Sequence, residues 1–451
     1  MELRRIFIVI IGLVLFCGCN SDEISETEIN DDTVVGFQAE IDWIKTFGGS
    51  NEETAQSVIQ TSDGGFAVIG FTNSADGDIT DKTLLVNDFW VLKLDAQGDI
   101  QWNNTYGGSG DDRGQAIQQT TDGGYILAGY SMSDDGDGSN NEGFHDNWVV
   151  KLDAGGNIQW ESSFGFAGHD HAYDILQTAD GGYFVSGFLD VTGSDGEGNS
   201  SRSSLSAHGV GEFWANKLDA EGNLEWRRFF GGTNNDRAYS VTQANDGGFV
   251  LAGASESEDF DISEANGSYD FWVIKINPDG DLVWERSFGG SGIEISESIV
   301  NTRDNGYLVV GKTNSTDGDV SSNKGNSDVW IVKINDSGKM AWEKTFGGTD
   351  FEGAESIIAS NNGGYIITGN SRSRDNQLSE NFGENDIWIM KINEEGSMLW
   401  EKSIGGSGLD FGFDAVETFN GEVIVVGETS SQDFDIEINQ GLKDLVIIKL
   451  K

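Results

Sequence analysis

The chain has 451 residues, with 76 acids against 27 bases and a formal charge of −49. Such a charge excludes nucleic acid and anionic membrane surfaces as natural partners, because both would be repelled, and it favours divalent cations. Thirteen Trp and an aromatic content of 11% exclude a disordered acidic chain and leave ample apolar material for a core.

In chain order, Arg4 and Arg5 precede an apolar run from Ile6 to Phe16, and Gly18 stands just before Cys19. This layout predicts a signal peptide over residues 1–18, with an apolar run too short to span a bilayer. Phe16-Cys17-Gly18-Cys19 resembles a bacterial lipobox, which implies that Cys19 is the lipidated N-terminus. An ordinary signal-peptidase site, leaving Cys19 as a free thiol, is the other reading. Residues 19–35 read as an acidic tether and are similar to the export signals of some Gram-negative surface lipoproteins. That resemblance implies a surface-exposed protein on the outer membrane, touching lipid through its anchor only. No cysteine follows Cys19, so the folded part holds neither disulfides nor thiolate metal sites.

From residue 36 onward one unit repeats. Trp43, Trp102, Trp160, Trp226, Trp284, Trp342 and Trp400 recur at intervals of 58 or 59, with one of 66. Between them lie an acid, an apolar strand, an Asp-Gly-Gly-type turn such as Asp63-Gly64-Gly65, a strand with a central Gly, a polar loop and a third strand. A second turn, Asp95 to Gly98 in the first unit, returns to Trp. Turn residues that tolerate positive φ, flanked by period-two apolar segments, predict four antiparallel strands per unit. The predicted fold is all-β, a seven-bladed β-propeller over residues 36–451. Its ring is closed by the N-terminal strand, Phe37 to Phe47, pairing with Asp444 to Lys451. The repeats resemble kelch-like and pyrroloquinoline-quinone-type propellers, whose tryptophan-docking motif is matched by segments such as Lys93 to Trp102. No quinone-binding residues carry over.

Features present in every blade are expected to be architectural. The mid-strand glycines (Gly70, Gly129 and their equivalents) are expected to make room for third-strand Trp rings such as Trp90 and Trp148. The Lys93 column is expected to ion-pair with the Glu53 column, or the latter to form a cation-binding carboxylate ring. Loops of the form Ser-x-Asp-x-acid, including Ser133, Asp135 and Asp137, read either as Ca²⁺ ligands or as solvated turns.

Departures confined to adjacent blades point to function. All four histidines, His145, His169, His171 and His208, fall in the long loops of blades 2 and 3. With Asp170 and Asp174 nearby, His145, His169 and His171 form a candidate Zn²⁺ or Ni²⁺ set. Blades 2–4 also carry Arg113, His171 and Arg237, with Gln115, Tyr173 and Tyr239 two residues on. Bases and aromatics on an acidic protein suit a sugar or an acidic ligand, although the same residues could simply plug the channel. The expected function is non-catalytic recognition of a glycan or protein. The alternatives are a glycoside hydrolase, since similar propellers resemble endoglucanase-type families, and a structural scaffold. No nucleophile elbow, zincin helix or phosphate loop is present.

Overall fold

The computed structural model describes residues 37, 39–191, 211–378 and 380–451. The expected signal peptide, Cys19 and the tether lie outside these residues, as do His208 and most of the long blade 3 loop.

The described residues form 28 strands, β1 to β28 in chain order, arranged as seven four-stranded antiparallel sheets with no helix among them. Blade 1 is typical, with β2 (Glu53–Gln60), β3 (Phe66–Thr72), β4 (Asp88–Leu94) and β5 (Ile100–Tyr106) in that order. The hairpin turns fall where sequence placed them, at Gly64 (φ +84°) and Gly98 (φ +77°), conformations that L side chains rarely adopt. The innermost strands touch their neighbours all the way round, so the chain forms a closed propeller.

Closure uses the chain ends. β1 (Ile41–Phe47) pairs antiparallel with β28 (Asp444–Leu450), placing Ile44 opposite Ile448. Glu40 and Lys451 exchange two backbone hydrogen bonds of 3.1 and 2.9 Å. The strand begins at Ile41, later than the expected Phe37, because Ala39 turns the backbone to φ +55°. Apolar residues of the last blade (Ile424, Val426, Leu445, Ile447) then share one core with Ala55, Val58, Val68 and Trp90 of the first.

Neighbouring blades are joined by the fourth-strand Trp residues. Trp43 lies over Gly98 of the next blade, and a Cβ on that glycine would come within 2.7 Å of the ring. Trp102 over Gly156, Trp160 over Gly222, Trp226 over Gly280, Trp284 over Gly338 and Trp342 over Gly396 repeat the contact. The tryptophan-docking resemblance therefore describes real packing.

Two architectural expectations are corrected. The mid-strand glycines do stand opposite the third-strand Trp residues, Gly70 facing Trp90, and in the last blade Gly427 faces Val446. What forbids a side chain is backbone. A Cβ at Gly70 would lie 1.8 Å from the Thr54 carbonyl oxygen, beside a bulge between Ala55 and Ser57.

The lysine column does not meet the Glu53 column. Glu53 is in register with Thr72, and Thr72 with Asp88, whereas Lys93 is five residues further along the third strand. At ~3.3 Å per residue that puts the two at opposite ends of the blade. Lys93 instead bonds the turn residue Asp63 at 2.9 Å, as Lys151 bonds Asp122 and Lys217 bonds Asp180, both at 3.0 Å. In blade 6 the partner is Asn362, and in blade 7 Glu422. The Glu53 column caps backbone: Glu53 accepts the Gly49 N–H at 2.8 Å and the Thr72 hydroxyl at 2.7 Å.

Replacing Gly70 with Ala is expected to destabilise the fold by about 1–3 kcal/mol, the usual cost of overpacking, measured as a lowered urea midpoint. An unchanged midpoint would contradict the close approach of Thr54.

Candidate binding site at the channel mouth

The first strands carry the departing residues beside the channel mouth. Arg113 is the second residue of β6 (Asp112–Gln119), His171 opens β10 (His171–Gln177) and Arg237 is second in β14 (Asp236–Gln243). The mid-strand glycines position them, since the carbonyls of Arg113, His171 and Arg237 are those that press on Gly129, Gly187 and Gly253. Each faces the residue after that glycine: Arg113 faces Tyr130, His171 faces Phe188 and Arg237 faces Ala254.

Three of the five predicted ligand-binding residues share one opening. His171, Tyr173 and Arg237 line a pocket of about 280 Å³ with His169, Phe188, Asp190 and Asn235. The Arg237 guanidinium lies 4.8 Å from the centre of the Phe188 ring. Tyr239 stands behind the pocket, its ring 5.1 Å from that of Tyr173. Arg113 points away: it bonds both oxygens of Asp111 at 3.0 Å and covers Phe71.

Of the predicted metal ligands, His145, His169 and His171 converge, with one ligand atom from each lying within 4.8 Å of the others. The repeat explains why. Among the described residues, at six of the seven blade junctions a bridge joins the residue before the third strand to the residue before the next blade's recurring acid, as in Asn385 with Leu409. Between blades 2 and 3 those two residues are His145 and His169, whose Nδ1 atoms stand 3.0 Å apart. His171 stacks on Tyr130, centroids 3.9 Å apart. Burial, reinforced by the two neighbouring imidazoles, pushes His171 down to about 3, so it stays neutral. Against its own burial, the nearby His145 ring and hydrogen bonds from Arg113 and Asn87 hold the Asp111 carboxyl well below the usual range.

Asp135 and Asp137 stand apart from this trio. Asp135 accepts the Ser109 N–H at 2.7 Å and Asp137 the Gly107 N–H at 3.2 Å, so both hold the preceding loop. Asp170, from the architectural acid column, accepts the Phe166 N–H at 2.6 Å, and Asp174 accepts the Val241 N–H at 2.9 Å from the next blade.

Sequence reasoning missed Tyr130, Phe188 and Asp111. The first two follow a mid-strand glycine, so aligning the second strands would have shown Phe71, Tyr130 and Phe188 in blades 1–3 against Lys312, Asn370 and Glu428 in blades 5–7. The opposite arc is thus polar: Lys312 pairs with Glu297 at 3.2 Å, and Asn370 donates to Glu355 at 3.2 Å.

No protein-family model and no curated protein matches the chain. Solved structures do. A chain of the Mitotic Checkpoint Complex is similar over 97% of this chain and 99% of its own, at 8% identity and a TM-score of 0.52. Sqt1 from Chaetomium thermophilum (91% and 100% covered, 11% identity, TM-score 0.46) and BamB from Moraxella catarrhalis (89% and 100%, 14%, 0.40) are also similar. At such identities the likeness is one of fold, and it rests on the first of the three.

Buried carboxyls make stability depend on pH. Burial raises Asp88, Asp236, Asp270 and Asp386 to about 6, and each keeps one buried oxygen without a hydrogen-bond partner. Raised acids favour the fold while protonated, and that contribution is lost as pH rises through about 6. The turn acid Asp180 works oppositely: the Thr178 hydroxyl and the Lys217 ammonium hold it at about 2, so its contribution is present above the unfolded value and lost as pH falls through about 2. The urea midpoint should therefore rise as pH drops from about 7 to about 5 and fall again toward about 2. A midpoint climbing steadily from acid to neutral pH would contradict this account.

Proposed function

We propose that the protein is a non-catalytic binding module, displayed at the cell surface through a lipid on Cys19, that recognises a glycan or a protein through the loop face of blades 2–4. The observation that carries this reading is the 280 Å³ pocket, where Arg237, Tyr173 and Phe188 meet on a chain of net charge −49. An aromatic face suits the apolar side of a sugar ring or an amino-acid side chain, and the guanidinium suits a carboxylate beside it. The pocket holds one such group. Its flanks supply polar groups, Asn235 and Asp190, for orientation.

Glycoside hydrolysis is the second reading, favoured by the opposite arc. There burial, reinforced by Glu297, pushes the Glu355 carboxyl upward, as a general acid requires, with a second carboxylate close by. Sugar release from polysaccharides, abolished by Glu355→Gln, would replace the binding reading with this one.

Glycan-array and peptide-array binding of the full-length protein test the proposal. Arg237→Ala should weaken the ligand found by about 30-fold, the loss of a typical hot-spot residue of about 2 kcal/mol. Binding indifferent to Arg237→Ala, or no binding on either array, would leave the structural scaffold as the better account.

A further inference from the structure

We propose that His145, His169 and His171 bind a single transition-metal ion of the Zn²⁺, Co²⁺ or Ni²⁺ class at the junction of blades 2 and 3. This goes beyond the ligand-binding reading and does not depend on it.

Geometry comes first. A tetrahedral ion holds imidazole nitrogens at about 2.0–2.1 Å, which places them ~3.3 Å from one another. The Nδ1 atoms of His145 and His169 are 3.0 Å apart, and the three histidines present their ligand atoms within 4.8 Å. Small side-chain movements close the set. Two ring nitrogens facing each other at this distance can share only one proton, and an ion between them uses both lone pairs.

The rings are held in place from behind. His171 stacks on Tyr130, and His169 stacks on Phe144 with centroids 5.0 Å apart. His171 Nδ1 meets the Tyr173 hydroxyl at 3.2 Å, while its Nε2 is buried without a hydrogen-bond partner among the described residues, which leaves that nitrogen free to ligate. His145 turns Nε2 toward Asp111 at 3.6 Å. A carboxylate or hydroxyl on the non-ligating nitrogen is the arrangement that fixes tautomer and raises basicity in metal-bound histidines. Here the Tyr173 hydroxyl takes that place for His171, and the Asp111 carboxylate faces the His145 nitrogen from 3.6 Å, one small movement short of a hydrogen bond.

The donor set also selects the ion. Three imidazoles suit Zn²⁺, Co²⁺ and Ni²⁺, whereas Ca²⁺ and Mg²⁺ require oxygen. That distinction matters on this chain, whose acids will gather hard cations without specificity. Because His169 and His171 also line the pocket, the ion would stand at its wall.

Co²⁺ titration of the full-length protein in excess Ca²⁺, followed by absorption spectroscopy, tests the site. The expected result is saturation at one Co²⁺ per chain with the intense visible bands of tetrahedral nitrogen ligation, displaced by Zn²⁺. His169→Ala removes an exposed ring and should abolish the bands while thermal melting stays native-like. Asp111→Asn, a positioning change, should weaken Co²⁺ affinity about 10- to 100-fold while leaving the bands in place at saturation. His145→Gln provides a second ligand variant of similar volume, expected to lose the bands as well. Absence of binding in excess Ca²⁺, or bands unchanged in both His169→Ala and His145→Gln, would overturn the proposal.

Discussion

Each blade of this propeller is a sheet too small to bury both of its faces, and the molecule exists because every sheet is covered by the next. The contact that sets their spacing is a fourth-strand Trp resting on a left-handed turn glycine of the following blade, as Trp43 rests on Gly98. That contact is repeated six times, from Trp43 to Trp342. The junction between blades 6 and 7 has no such turn to receive Trp400, because blade 7 joins its third and fourth strands, β28 and β1, by pairing rather than by a hairpin. Blade 7 is thus completed by β1 zipping beside β28, and its junction with blade 1 adds a shared apolar core to the Trp43 contact.

Closure has a functional consequence, since it makes the channel mouth a ring with two different halves. Blades 1–3 present Phe71, Tyr130 and Phe188, with bases or His171 beside them, while blades 5–7 present Lys312, Asn370 and Glu428 matched to Glu297, Glu355 and Lys443. The second half satisfies itself through ion pairs and hydrogen bonds. The first half keeps an aromatic and cationic pocket open. An identical backbone therefore carries a self-satisfied arc and a receptive one, and the difference lies in two columns of side chains.

Much of this was legible in the chain itself, because repetition exposes architecture: turn glycines, Trp columns and blade number all follow from spacing. The errors arose where a residue type has two plausible partners. Lys93 needs a carboxylate, and both Glu53 and Asp63 recur in step with it; only strand register shows that Glu53 lies at the far end of the blade. Gly70 needs space, and a large ring nearby seemed the cause, whereas the constraint is the Thr54 carbonyl. At the site, His169 and His171 were visible as a pair, but the position of His145 follows from a bridge between residues 24 apart in sequence. Arg113 was grouped correctly by column yet is turned aside by Asp111, two residues before it. Such local competition for a guanidinium leaves no periodic trace.

The pairing of the first strand with the last supports all of these placements, and native-state hydrogen exchange reads it directly. The amides of Ile41–Phe47 should be protected to the level of the equivalent strand Ile100–Tyr106, since both are the outer strands of blades in the same cooperative ring. Exchange of Ile41–Phe47 at the rate of an unstructured peptide, with Ile100–Tyr106 still protected, would contradict the closed ring.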